Sequence, residues 1–238
     1  MMTFNYILNK IKNPDDIKDI KASYEYANSK LSGIMRKNGD TEISHCLEVA
    51  NILIDLNVDK ETIICAILHS LLDFNDIDEK EFVEKFSLET YKIIFSLSKI
   101  NNLEMVDDSE SAALYLCKVM VGLSEDVRVL FIKLADRLHN MRKFDAISTS
   151  RQKKVANETL SVLVPIAHRL GINSIKSELE NLCLYYLKPD VYNDILEKLN
   201  ATVDSLNNYL IEMQESICDL LNENEIKFEI KGRVKSVY

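Results

Sequence analysis

Two histidines, an aspartate and an asparagine stand where a helical chain could do chemistry: His45, His69, Asp136 and Asn140. His69 ends the apolar part of AILHSLLDFN (66–75), just before a polar turn. Neutral imidazoles with a carboxylate form a donor set for a divalent transition ion such as Mn²⁺, Fe²⁺ or Zn²⁺. Asp136 and Asn140 are four residues apart, so on a helix they share a face and can enter one pocket. A lone histidine on an apolar helix is more often packed or solvated, and spacing alone does not join the two. The second set is basic. MRKNG (35–39) is a short polar loop before His45, and Arg128, Lys133, Arg137, Arg142 and Lys143 crowd the stretch around Asp136. Arginine grips phosphate with a bidentate fork. For any one of these residues taken singly, a solvated helix face is the better reading.

The elements that must position these residues read as helices. Apolar residues recur at three- and four-residue spacings through nearly the whole chain. ISHCLEVANILIDL (43–56) is one helix, with Ser44 as a cap; DKETIICAILHSLLD (59–73) is the next, with Asp59 as its N-cap. SEDVRVLFIKLADRLHNMRKF (124–144) opens on Ser124 in a capping position. In RQKKVANETLSVLVPIAHRLGI (151–172), Pro165 is expected to kink or end a helix and Gly171 to cap one. After Pro189 an apolar stripe runs from Val191 to Leu220. It predicts a helix of about 30 residues, on the order of 45 Å long. IKFEIKGRVKSVY (226–238) alternates apolar and polar residues and predicts one strand, which has no partner within the chain.

Composition narrows the function classes. Of the 238 residues 47% are apolar, so a core can form, and five glycines with three prolines favour long helices. A net charge of −9 disfavours a general nucleic-acid surface but leaves room for a local basic cluster holding a small anion. The five cysteines are odd in number and contain no CxxC pair, against a disulfide framework or a cysteine zinc site. No leader and no apolar run near 18 residues is present, so a soluble cytoplasmic protein without a membrane partner is expected.

Four segments carry a resemblance: RKNGDTEISHCLEVANILIDLNVDKETIICAILHSLLD (36–73), VLFIKLADRLHNMRKF (129–144), RQKKVANETLSVLVPIAHRLGINSIKSELENLCLYYLKP (151–189) and IKGRVKSVY (230–238). In the same order they resemble the RelA/SpoT family, the synthetases and hydrolases of the alarmone (p)ppGpp. KLADRLHNMR and VPIAHRLGI are the most specific pieces, and the likeness runs from about Ala22 to Tyr238. The resemblance implies an all-α, HD-type hydrolase bundle over 1–170, a helical connector over 171–225, and over 226–238 the first strand and motif of a truncated synthetase domain. It implies Mn²⁺ as the metal, ppGpp or pppGpp as the ligand, and the synthetase domain as a partner in the full-length protein. A homodimer is left open.

Family hydrolases hold the metal with two His and two Asp. His45, His69 and Asp136 match three of these, and Ser70 stands at the fourth. An adjacent Glu-Asp pair, which helps activate the attacking water, aligns with Asp73 and Phe74. Asp73 and Asn140 are thus the catalytic candidates; Arg36, Lys37 and Asn140 match nucleotide- or site-contacting positions. A serine hydroxyl is a weak neutral ligand beside an aspartate, so weaker metal binding is expected. Impaired hydrolysis with a regulatory task toward the synthetase is the leading reading. A working Mn²⁺-dependent 3′-pyrophosphohydrolase relying on Asp73 is the second, and a helical interaction scaffold without a nucleotide pocket is the third.

Overall fold

The computed structural model describes residues 2–75, 77–101, 126–224, 226–228, 230 and 232. Among them regular structure is helical: α1 (Met2–Lys10), α2 (Pro14–Leu31), α3 (Glu42–Ile54), α4 (Lys60–Leu68), α5 (Leu71–Phe74), α6 (Glu79–Lys85), α7 (Leu88–Asn101), α8 (Val127–Arg142), α9 (Thr149–Glu158), α10 (Val164–Arg169), α11 (Asn173–Leu187) and α12 (Pro189–Glu223). The bundle is built around α3, which packs on α1, α4 and α8, while α4 also packs on α2 and α7. Leu53, Ile67, Leu68, Leu71, Leu97 and Leu134 are almost wholly withdrawn from solvent between these helices. Burying each such side chain contributes about 1.5–3 kcal/mol.

Helix starts follow capping chemistry, with two corrections. Thr41, not Ser44, is the N-cap of α3, and its hydroxyl accepts from the Ser44 N–H at 3.3 Å. Asp126, not Ser124, caps α8, its carboxylate accepting from Arg128 N–H at 2.8 Å; Ser124 lies outside the described residues. Asp59 caps α4 as expected, accepting from Thr62 N–H at 2.8 Å.

The single helix expected over 59–73 is broken at His69 and Ser70 into α4 and α5. There the side chains, not the apolar spacing, decide the backbone: the His69 ring bonds the Ala66 carbonyl and the Ser70 hydroxyl turns toward α3. Around Pro165 the chain runs through a π-helical turn (Thr159–Leu163) into α10, with the proline in the first turn. Gly171 follows with φ +73°, and Ile172 N–H reaches the Ala167 carbonyl at 3.0 Å, closing a Schellman-type end.

Helix α12 is 35 residues long. Its stripe does not enter the core: Val191, Met213, Ile217 and Leu220 are exposed. Residues 226–228, 230 and 232 belong to no strand, and the rest of the segment expected to form one lies outside the described residues. No described helix is long and apolar enough to cross a membrane.

The core around α3 and α4 sets the stability. Leu53→Ala and Leu68→Ala each empty a fully buried position and are expected to cost about 2–5 kcal/mol. Asp78→Ala removes an exposed cap on Glu81 N–H and is expected to cost about 1 kcal/mol. Denaturant unfolding of the three variants checks this order; a cap variant as damaging as the core variants would contradict the packing.

Candidate metal and nucleotide site

Three elements bring the chemical residues together. His45 lies in the first turns of α3, His69 ends α4, and Asp136 is in mid-α8; all three are buried. One ligand atom from each lies within 4.8 Å of the others. His45 Nε2 is 3.3 Å from Asp136 Oδ1. That is about the edge of a coordination polyhedron around an ion with ligands at ~2.1 Å.

The ring orientations also fit a metal. His69 Nδ1–H donates to the Ala66 carbonyl at 2.7 Å, leaving Nε2 toward the site. His45 Nδ1 meets His139 Nδ1 at 2.8 Å, so one ring donates and the other accepts. With the His139 ring as donor, His45 Nε2–H can donate to Asp136 Oδ1; an ion would take the opposite tautomer, in which His45 Nδ1–H donates to His139 and Nε2 is the ligand. An outer hydrogen bond that fixes the tautomer is a usual companion of metal-binding histidines. His139 was not among the sequence candidates. Within LHNMR (138–142) it reads as a face-filling residue, and only the fold puts it behind His45.

Asp136 is the most heavily partnered group. Oδ1 accepts from Asn140 Nδ2 at 2.7 Å and Oδ2 from Lys133 Nζ at 2.9 Å. Burial would raise its pKa, but Lys133 and the His45 hydrogen bond outweigh this and hold the carboxyl well below its usual range. Burial pushes His45 the other way, down to about 3, against the pull of Asp136. His139 is lowered too, by burial and then by Arg36. For His69 burial disfavours charge, yet Cys46 and then Asp136 carry it up to about 9.

The nucleotide candidates sit on a tight loop before α3. Met35 and Thr41 form an antiparallel bridge, Arg36 N–H bonds the Asp40 carbonyl at 2.9 Å, and Gly39 takes φ +87°, which favours glycine. Arg36 does not point freely outward. Its Nη1 donates to both Glu42 oxygens at 2.8 and 2.9 Å, and its Nη2 to Asn140 Oδ1 at 2.6 Å. Lys37 lines the same cleft, of about 1080 Å³, whose walls also carry Arg137, Lys143, Arg151 and Lys154. Of the basic set expected from sequence, Arg128 and Arg142 instead serve ion pairs, with Asp126 and Glu178.

Ser70 and Asp73 reach the cleft as well. Ser70 is buried, and its Oγ lies 3.1 Å from His69 Nε2 and donates to Glu42 Oε1 at 2.9 Å. Asp73 accepts from Ser98 Oγ at 2.7 Å and from Asn101 Nδ2 at 3.0 Å. Phe74 lines the cleft and is 49% exposed.

The state of the His45 ring is directly testable. Its folded pKa lies below the unfolded value of about 6.5, so the stability it contributes is complete above pH 6.5 and is lost as pH falls toward 3. In chelator, imidazole ¹⁵N resonances are expected to show His45 still neutral at pH 5. A His45 midpoint near 6.5 would contradict the buried, paired ring.

The sequence has counterparts among known proteins. Residues 23–173 match the family model described as HD domain. A GTP pyrophosphokinase of Myxococcus xanthus is 35% identical over 94% of this chain and 30% of its own length. The GTP pyrophosphokinase rsh of Brucella ovis is 33% identical over 91% of this chain and 29% of its own. The bifunctional (p)ppGpp synthase/hydrolase SpoT of Escherichia coli is 31% identical over 99% of this chain and 34% of its own. The chain thus spans about a third of the length of these relatives. With the HD-domain match over most of the bundle and these relatives over nearly the whole chain, the protein belongs to the RelA/SpoT family, of which it carries the HD region.

Proposed function

We propose that this region binds a guanine alarmone, ppGpp or pppGpp, in the cleft between the Arg36 loop and α8, and hydrolyses it poorly. Its remaining task is regulatory, toward the synthetase domain of the full-length cytoplasmic protein. Residues 1–170 are the hydrolase-type domain, 171–225 the connector, and 226–238 the start of the synthetase domain.

One observation carries the reading: Ser70 and Phe74 stand where the family resemblance implies carboxylates, while basic residues line the cleft. His45, His69 and Asp136 would hold the ion, for which we propose Mn²⁺. When bound, such an ion polarises a phosphoryl oxygen and lowers the pKa of water. The chain's own residues do the rest. Arg36 and Lys37 meet phosphate oxygens, Arg36 with a planar fork that Asn140 holds in place. Lys143 and Arg151 line the cleft and add positive potential to steer an anion into an acidic protein. A carboxylate near the 3′-diphosphate would orient the water and take its proton. Phe74 cannot do this, and Asp73 has both oxygens engaged by Ser98 and Asn101. Proton acceptance by a positioned base is worth about 10²–10⁴ in rate, so binding survives a loss that turnover does not.

The second reading, a working 3′-pyrophosphohydrolase, is favoured by Asp73 lying in the same cleft. It would need Asp73 to leave Ser98 and Asn101 for the water.

Pyrophosphate release from ppGpp in saturating Mn²⁺ separates the two. Phe74→Asp is expected to raise the rate by about 100-fold, the size of a restored base, and Ser70→Asp/Phe74→Asp by more. Arg36→Gln is expected to weaken ppGpp binding with the fold intact. An unaltered chain as fast as the double variant would overturn the impaired-site reading and leave the working hydrolase.

A further inference from the structure

Glu42 is a buried carboxylate, 3% exposed, in a chain that has few of them. It begins α3, three residues before His45, and so lies on the same face of that helix. Its two oxygens accept from Arg36, and Oε1 also accepts from the Ser70 hydroxyl. Ser70 Oγ stands between two groups: Glu42 Oε1 at 2.9 Å and His69 Nε2 at 3.1 Å. The carboxylate is therefore one hydroxyl group, two hydrogen-bond steps, away from a metal-facing nitrogen, on the side where Ser70 stands at the fourth ligand position.

We infer that Glu42 is the relocated anionic partner of the metal site, supplying from α3, through the Ser70 hydroxyl, the negative charge that Ser70 lacks. This rests on the reading of His45, His69 and Asp136 as metal-binding residues. Serine is short, and the space beyond its hydroxyl is filled by the Glu42 head group. Asp136 and Glu42 together restore two carboxylates facing two imidazoles, the charge that suits a hard divalent cation. The glutamate acts through the Ser70 hydroxyl, its carboxylate lying outside the group formed by His45, His69 and Asp136, and its negative charge is delivered at the His69 side. Isolated carboxylates are costly to bury. Arg36 and Ser70 satisfy this one with hydrogen bonds.

The competing explanation is that Glu42 only anchors Arg36. Calorimetric titration with Mn²⁺, together with the EPR signal of free Mn²⁺, distinguishes them without recourse to turnover. Glu42→Gln keeps size and can still meet Ser70 but loses the charge. It is expected to weaken Mn²⁺ binding by about 10–100-fold or more, the range for lost outer partners being the floor. Ser70→Asp placed in the Glu42→Gln background is expected to recover that loss, since it returns the carboxylate to α5's entry. Arg36→Gln, which breaks the same ion pair from the other side, is expected to leave Mn²⁺ affinity equal or higher. Circular dichroism confirms that each variant is folded. Equal Mn²⁺ affinity in the unaltered chain and Glu42→Gln overturns the assignment, as does an Arg36→Gln loss equal to that of Glu42→Gln. If the unaltered chain and the Ser70→Asp variant both fail to bind Mn²⁺, the metal reading itself fails, and the assignment with it.

Discussion

The buried charge of Asp136 is the constraint on which the site depends. A carboxylate inside a protein must be compensated, and breaking such a set by removing one partner costs about 3–5 kcal/mol. Here the compensation comes from Lys133 and Asn140 on its own helix and His45 across the interface with α3. Each partner passes the constraint on. Asn140 fixes Arg36, Arg36 fixes Glu42, and Glu42 receives the Ser70 hydroxyl. In the other direction Lys133 bonds Asn101, and Asn101 bonds Asp73. A continuous polar chain thus runs from the group of His45, His69 and Asp136 to both the Arg36 loop and Asp73. The apolar contacts of α3 with α4 and α8 keep its members in register.

Much of this was legible in the sequence, because helices announce themselves locally. The three- and four-residue periodicity located the bundle and the long α12, Asp59 marked a helix start, and Gly171 marked a helix end. The ligand candidates were legible for a different reason: histidine and aspartate at those places carry a family pattern. What stayed hidden depends on contacts between distant segments. Glu42 looks like an ordinary acid in the first turn of a helix, where the dipole favours one. Only the packing of α3 against Ser70 and the Arg36 loop makes it part of the site. Had its three-residue spacing to His45 been weighed, it could have been proposed. The break after Leu68 was hidden as well, since apolar spacing runs on through His69 and Ser70 while their side-chain bonds interrupt the helix. The strand expected over 226–238 falls mostly outside the described residues, of which 226–228, 230 and 232 are in no strand.

Binding and catalysis separate cleanly at such a site. Phosphate recognition needs fixed positive charge and a planar fork, and the proposed reading assigns these to Arg36 and the basic residues of the cleft walls. Turnover needs in addition a water held in line and a base to receive its proton. A family member can lose the second set and keep the first, and a region that senses an alarmone without destroying it suits control of a neighbouring synthetase. Along α12, Val191, Met213, Ile217 and Leu220 are exposed.

The most direct measurement is anomalous diffraction at the manganese edge from crystals grown with Mn²⁺ and ppGpp. The expected result is one strong peak among His45, His69 and Asp136, the Glu42 carboxylate or its Ser70 partner completing the ion's surroundings, with intact ppGpp on Arg36 and Lys37. A peak elsewhere, or cleaved nucleotide in the cleft, would contradict a metal-competent but catalytically impaired site.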